Sequence, residues 1–480
     1  MRCDAMPHLV WRPRLCRLTS LLLLAAAALM VALPSSAPAA SPTALFWQLD
    51  GPSLVDGGAD VPGQISGTPQ VQRPTSLGAA TRSRLRVDYT SQSPLAIRQE
   101  GATVAGWDSS VLSTQLCLPL GGGSRPSRWH LGILRRDSSD TVSYRQGDSD
   151  LALRVASDLT ALGGSYEMGS GWTWGALVGT ASADGSAAGA TLRELLDLPQ
   201  GSAEWPSLVS NTRSYSLALS RRHASLGYGL QYDWSTPDQT LRLTRDNLSY
   251  VAPMTASAHG WEAYLDLCRG RDTYFLAAAS HSESSDGSIY VGLAGRGDVQ
   301  WATDDRRLTA GWRRRGTRAT RQWVLDWRQS SLNTYDQGYA GLWPGLGTDV
   351  YALRSSGEIT TTSVRYGLRR ELGPQWSLLS GFSLQRAQIE ATARLRQSQG
   401  IGGTPLTRFE RRVDNGRMWL LAVTLGAGYQ SGDWRAMFSY TGAYAEVNDA
   451  FSDLGEPRPD EPGGQLRAQG FWTRYCERGF

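Results

Sequence analysis

Charged residues recur at every second position in several segments, so that they share one face of an extended strand. Arg84, Arg86 and Asp88 are spaced this way, as are Asp326 and Arg328, while Glu262 and Asp266, and Arg365 and Arg369, share a face at a spacing of four. Arg154 and Arg435 each stand between apolar neighbours, and Arg313 follows Trp312. Such a set is not suited to bond making. Facing guanidinium and carboxylate groups suit the passage of ions and polar solutes, which they bias by charge. Enzymatic alternatives are sparse. His281-Ser282 beside Glu283 is the nearest approach to a base with a nucleophile. A solvated loop explains that pair as well, and His130 and His223 have no better company. No phosphate-binding glycine loop, calcium loop or zinc spacing occurs, so no catalytic residue, cofactor or resident metal is expected.

The elements that must carry these charges are amphipathic strands. In Leu226-Gly-Tyr228-Gly-Leu230-Gln-Tyr232-Asp-Trp234 every second side chain is large and apolar. Its other face is Gly, Gln and Asp. A tilted strand of about 9–11 residues crosses a bilayer. Closed into a ring, such strands make a wall that is apolar outside and polar inside. Charges are then cheapest on the lumen side, which assigns the twelve residues named above to the inner wall as channel lining. Trp172, Trp174, Trp234, Trp261, Trp312, Trp323, Trp327, Trp376, Trp419, Trp434 and Trp472 fall near segment ends, as an interfacial aromatic girdle requires.

The segments pair around short turns. Arg213–Arg221 joins Ala224–Trp234, Gly260–Cys268 joins Asp272–His281, and Arg307–Arg315 joins Ala319–Gln329. Thr361–Arg370 joins Gln375–Arg386, and Arg417–Tyr429 joins Asp433–Ala445. Adding Arg84–Thr90, Val111–Leu120, Ser127–Arg136, Leu151–Ser157, Trp172–Thr180 and Leu466–Tyr475 gives sixteen strands, within a range of 14–18. Longer stretches at 181–212, 235–258, 282–306, 330–360, 387–416 and 446–464 read as loops on the other side. Strand extensions are expected inside them at Thr240–Leu243 and Ile289–Leu293. Within 181–212, residues 189–197 have helical spacing and are expected either to fold inward and narrow the lumen or to lie on the surface. Residues 446–464 are acidic and read as a solvated loop, with Ca²⁺ or lipopolysaccharide bridging as the alternative.

Composition sets the compartment. Arg2, Arg12, Arg14 and Arg17, an apolar run at Leu21–Leu33 and the small residues Ala37-Pro-Ala39 make residues 1–39 a cleaved secretory signal. All 48 basic residues are Arg, which a GC-rich coding sequence explains. After residue 39, 44 Arg stand against 43 acids, too even for a nucleic-acid binder. Three cysteines remain there, Cys117, Cys268 and Cys476, so the fold is not a disulfide scaffold. Residues 40–81 read as a periplasmic leader, with a small plug as the alternative. Residues 82–480 are the barrel. A soluble propeller or sandwich also has many short strands, but no repeat of about 40 residues is found.

With its signal, paired amphipathic strands, aromatic belts and terminal Phe480, the chain resembles Gram-negative outer-membrane β-barrel proteins of the porin type. The likeness covers residues 82–480 and is one of architecture. It implies an all-β fold, a closed antiparallel transmembrane barrel of about sixteen strands. It implies an outer-membrane location, contact with lipid and lipopolysaccharide, and an assembly signal at Phe480 for the barrel-assembly machinery. It also implies transport of small solutes or ions, with a homo-oligomer as one possible state. One departure concerns Trp472, Arg474, Cys476 and Arg478, of which only part fits the apolar alternation before a terminal aromatic. Either a bulge in the last strand or a short tail after Tyr475 accounts for it. The competing expectation is a structural or export-associated barrel with a plugged lumen. A hydrolase using His281 and Ser282 ranks last.

Overall fold

The computed structural model describes residues 70–99, 102–120, 128–146, 149–188, 207–223, 225–245, 248–291, 295–340, 349–398, 406–447 and 465–479. Sixteen strands run through them: β1 (Arg84–Gln99), β2 (Ala102–Leu120), β3 (Trp129–Gln146), β4 (Ser149–Glu167), β5 (Trp172–Ala188), β6 (Ser207–His223), β7 (Leu226–Arg245) and β8 (Leu248–Arg269), followed by β9 (Asp272–Val291), β10 (Gly295–Arg315), β11 (Ala319–Ala340), β12 (Asp349–Glu371), β13 (Trp376–Ser398), β14 (Leu406–Ser431), β15 (Trp434–Val447) and β16 (Gln465–Gly479). Each pairs antiparallel with its sequence neighbours, and β1 pairs with β16, so the single sheet closes into a barrel. A propeller and a two-sheet sandwich are excluded by that connectivity.

The alternation read from sequence sorts side chains to two faces. On β14, Trp419, Leu421, Val423 and Leu425 are 45–60% exposed, while Leu420, Ala422 and Thr424 between them are 1% exposed. Tyr232, Leu265, Leu276, Leu325 and Leu384 continue the same outward band on other strands. Apolar side chains this exposed over a whole circumference belong in hydrocarbon.

The strands are longer than expected. β7 has 20 residues and β14 has 26. At about 3.3 Å per residue and a tilt near 40°, twenty residues rise roughly 50 Å, beyond a hydrocarbon core of about 30 Å. The stretches 235–258, 282–306, 330–360 and 387–416, expected to be loops, are therefore mostly paired strand. Above the bilayer both faces meet water, so apolar alternation fades while the hydrogen-bonded ladder continues. The expected extensions at 240–243 and 289–293 fall in β7 and, as far as Val291, in β9. Turns at the other end are tight, and Gly270 and Gly432 supply the positive φ they need.

The last strand pairs with β1 through Gly479 and with β15 through Arg478, with an irregularity between Thr441 and Ala443 of β15. A tail after residue 475 is thus replaced by continued strand. The signal 1–39, residues 40–69, the piece 189–197, residues 448–464 and Phe480 lie outside the described residues.

Candidate functional site: the inner wall of the barrel

Eleven of the twelve charged residues assigned to the lumen are placed on the inner face. Arg84, Arg86 and Asp88 stand opposite Cys117, Gln115 and Ser113 on β2, in the register of the buried Cys117 and Gln115. Glu262, Asp266, Arg313, Asp326, Arg328, Arg365, Arg369 and Arg435 share parity with buried inner residues on their strands. Arg154 does not. It is opposite Thr141, while Asp140, one step away, is buried against the lumen beside Val155. Arg154 is exposed on the outer face, eight residues beyond Leu162 and toward the long-loop end. There water rather than lipid receives it, so its charge carries no membrane penalty.

The ten girdle residues from Trp172 to Trp434 all point outward and form two rims. Trp172, Trp174, Trp312, Trp323, Trp376 and Trp434 lie by the short turns. Trp234, Trp261 and Trp327 lie eight residues from the short-turn ends of their strands, and Trp419 lies twelve. Trp129 joins the first rim against Tyr166 at 4.5 Å, a contact that strand spacing alone did not reveal. Trp376 meets Tyr429 at 4.9 Å, and Trp323 meets Tyr366 at 4.7 Å. Trp472 belongs to β16, whose side chains lie outside the described residues.

The charges concentrate on β10–β12. Arg307 Nε donates to Asp326 Oδ1 at 2.8 Å, and Arg365 Nη2 stands 3.9 Å from the other carboxylate oxygen. The Thr309 hydroxyl donates to Asp326 as well. Arg328 Nε donates to Asp305 Oδ1 at 2.6 Å, and Ser330 Oγ donates to the same oxygen at 2.6 Å. Arg313 Nε donates to the amide oxygen of Gln322 at 2.9 Å. On β1, Arg86 Nε pairs with Asp88 Oδ2 at 2.7 Å. Arg307 and Asp305 were not among the expected lining. They fall in the run Asp304-Asp305-Arg306-Arg307, where charges occupy both faces and obscure the parity.

A second cluster is formed by the chain's own N-terminal side. Residues 70–80, with a 3₁₀ turn at Pro74–Ala79, lie inside the barrel near the short-turn end. Val71 and Leu77 are 0% exposed and pack with Ala80, Cys117, Leu134, Ala161 and Leu177. Apolar residues also cluster elsewhere on the inner wall, Leu379 with Met437 and Phe275 with Val324, but this cluster is the one that receives the insert. Glycines make the room. A Cβ at Gly132 would stand 2.8 Å from Val71 Cγ2, and one at Gly175 would stand 2.7 Å from the Thr75 backbone nitrogen. Polar contacts hold the other side. Arg73 Nε donates to Glu262 Oε1 at 3.2 Å, and Gln231 Nε2 donates to the Gln72 carbonyl at 3.2 Å. Val71 N donates to Gln115 Oε1 at 3.4 Å. The signal in the sequence was Gly within strands, which marks close approach of another backbone.

The one nucleophile–base pair is split. His281 and Ser282 are consecutive in β9, so they point to opposite faces. Ser282 Oγ donates to Asp304 Oδ1 at 2.6 Å instead. Among the described residues, no group of His, Cys, Asp and Glu is arranged to hold a metal ion.

No protein-family model matches the chain, and no curated protein matches it. Solved structures similar to it include the toluene transporter TodX of Pseudomonas putida, at 12% identity and a TM-score of 0.40, covering 89% of this chain and 98% of that one. A FadL homologue of Pseudomonas aeruginosa is similar at 12% identity and a TM-score of 0.37, over 85% and 93% of the two chains. CdiB of Acinetobacter baumannii is similar at 11% identity and 0.37, over 84% and 60%. Likenesses at this identity concern the fold alone.

Proposed function

We propose that this chain is an outer-membrane channel through which small polar solutes or ions diffuse, past a lumen lined by Arg and carboxylates. The observation that carries the reading is the inner wall itself. Arg86, Asp88, Glu262, Asp266, Arg313, Asp326, Arg328 and Arg365 are gathered on it behind an apolar outer band. A wall of that kind serves water and ions inside and lipid outside. Export through a signal peptide, recognition by the barrel-assembly machinery and contact with lipopolysaccharide belong to this reading. So does transport without chemical conversion of the solute. Single-channel recording of the purified protein in a planar bilayer tests it. Stepwise openings are expected, and a barrel that inserts without conducting sinks the reading.

A second reading is favoured by one observation, the burial of Val71, Leu77 and Arg73 within the lumen. A structural or export-associated barrel keeps its lumen filled. On that reading the wild-type protein inserts silently and conducts only when residues 70–80 are displaced.

A further inference from the structure

On the inner face of β10–β12, Arg307 on β10 is directly opposite Arg328 on β11. Like charges directly opposed repel, and the two guanidiniums part along the strands. Arg328 turns to Asp305 and Arg307 to Asp326. Both carboxylates are engaged by these pairs, and Asp326 is shared with Arg365. Arg313 is oriented by a neutral amide, and Arg369 lies four residues turn-ward of Arg365 on the same face of β12. From Asp305 to the short-turn end, the inner parity of this wall thus carries six guanidiniums, Arg307, Arg313, Arg315, Arg328, Arg365 and Arg369, against Asp305, Asp326 and Glu371. From the adjoining strands, Asp266 on β8 lies within electrostatic reach of Arg313, and His281 and Glu283 face inward on β9. The wall keeps an excess of positive charge. Arg313 is 3% exposed and Arg365 is 4% exposed, so water does little to screen the field they set, and anions are drawn by it to the more open Arg307 and Arg369.

The wall also lies across the ring from the seat of residues 70–80, whose contacts named above are on β2–β8. A solute passing that insert meets β10–β12.

We propose that the inner face of β10–β12 is an oxyanion-binding strip that selects small anions, inorganic phosphate and short carboxylates, for passage. Planar guanidiniums fork onto both groups. The inference rests on the channel reading for its role in transport, but binding is measured separately. Thermal unfolding of the full detergent-purified chain is followed in phosphate, acetate and chloride at equal ionic strength. Phosphate is expected to raise the unfolding temperature of the wild type and of Arg154→Gln on the outer face. The rise is expected to be lost in Arg365→Gln and Arg369→Gln. No rise, or an equal rise in all four proteins, overturns the proposal. Where Arg365→Gln fails to form a barrel, the half-buried Arg369 decides. A rise with phosphate but not acetate narrows the ligand to phosphate, and the converse narrows it to carboxylates. In bilayers, a salt gradient is expected to give an anion-selective reversal potential that Arg369→Gln weakens. A cation-selective current overturns the proposal. A silent barrel that still binds phosphate sinks the channel reading and leaves the strip standing.

Discussion

Glu262 on β8 accepts a hydrogen bond from Arg73 Nε at 3.2 Å, an ion pair between groups 189 positions apart in the chain. It ties the luminal segment 70–80 to β8, three strands along the ring from Gly175 of the glycine recess. Both side chains are mostly buried, at 16% and 21% exposure. A charge-assisted bond of this kind contributes about 1–3 kcal/mol. Glu262→Gln is therefore expected to loosen the segment without opening the sheet. The prediction is faster protease cleavage near residue 73 and more frequent openings in a bilayer. Unchanged cleavage and unchanged current contradict it.

The recess makes a sharper test. Gly175 faces backbone atoms of Pro74 and Thr75, which cannot rotate away as a side chain tip can. Gly175→Val is expected to evict residues 70–80 while the strand, which favours a β-branched residue, remains paired. Gly227 is a control, because a Cβ there would meet Asp266 no closer than 3.6 Å. The check is protease cleavage near residue 73 in each background. It should stay slow with Gly227→Ala and quicken with Gly175→Val. Equal cleavage in both removes the steric account.

The outward half of this fold was legible because lipid imposes a strict rule. Wherever the strand meets hydrocarbon, every second residue is apolar, so Tyr228, Leu230, Tyr232 and Trp234 disclose their face directly. The rule lapses above the bilayer, and strands such as β7 and β14 were read short for that reason. It lapsed again at Arg154, whose outward position needs no apolar side chain. The inner wall was legible as polar but not as a set of partners. Which carboxylate answers Arg307 depends on the diagonal between β10 and β11, and no period in the sequence carries that. Residues 70–80 were least legible of all. Val71 and Leu77 are two apolar residues in a Pro-, Gly- and Gln-rich stretch, and what buries them is Gly132 and Gly163 together with Cys117, Leu134, Ala161 and Leu177 from four different strands.

Asp326 is the hinge of the charged wall, with Arg307, Arg365 and the Thr309 hydroxyl converging on it. Asp326→Asn leaves two buried guanidiniums sharing a neutral amide. Breaking a buried pair from one side costs about 3–5 kcal/mol. The urea midpoint of the barrel in detergent is expected to fall accordingly. Thr309→Val removes one hydroxyl and should cost about 1 kcal/mol. If Asp326→Asn is no worse than Thr309→Val, water fills this part of the lumen and screens the charges.

The outer face separates lipid from water along a single strand direction. Leu425 is 60% exposed in the middle of the β14 band, between Trp419 and Tyr429. An Arg there is expected to destabilise the folded barrel by about 2–4 kcal/mol, the cost of a cation near the bilayer midplane. Arg154 tests the opposite boundary. It shares the outward face with Leu162 but stands beyond the apolar band. Arg154→Leu should leave stability in vesicles unchanged to within about 0.5 kcal/mol, as an exposed surface substitution does. A clear gain in stability for Arg154→Leu would mean that hydrocarbon reaches that far up β4. The membrane would then lie higher on the barrel than its aromatic rims indicate. Refolding both variants into vesicles of one thickness, with urea titration of each, decides between the two placements.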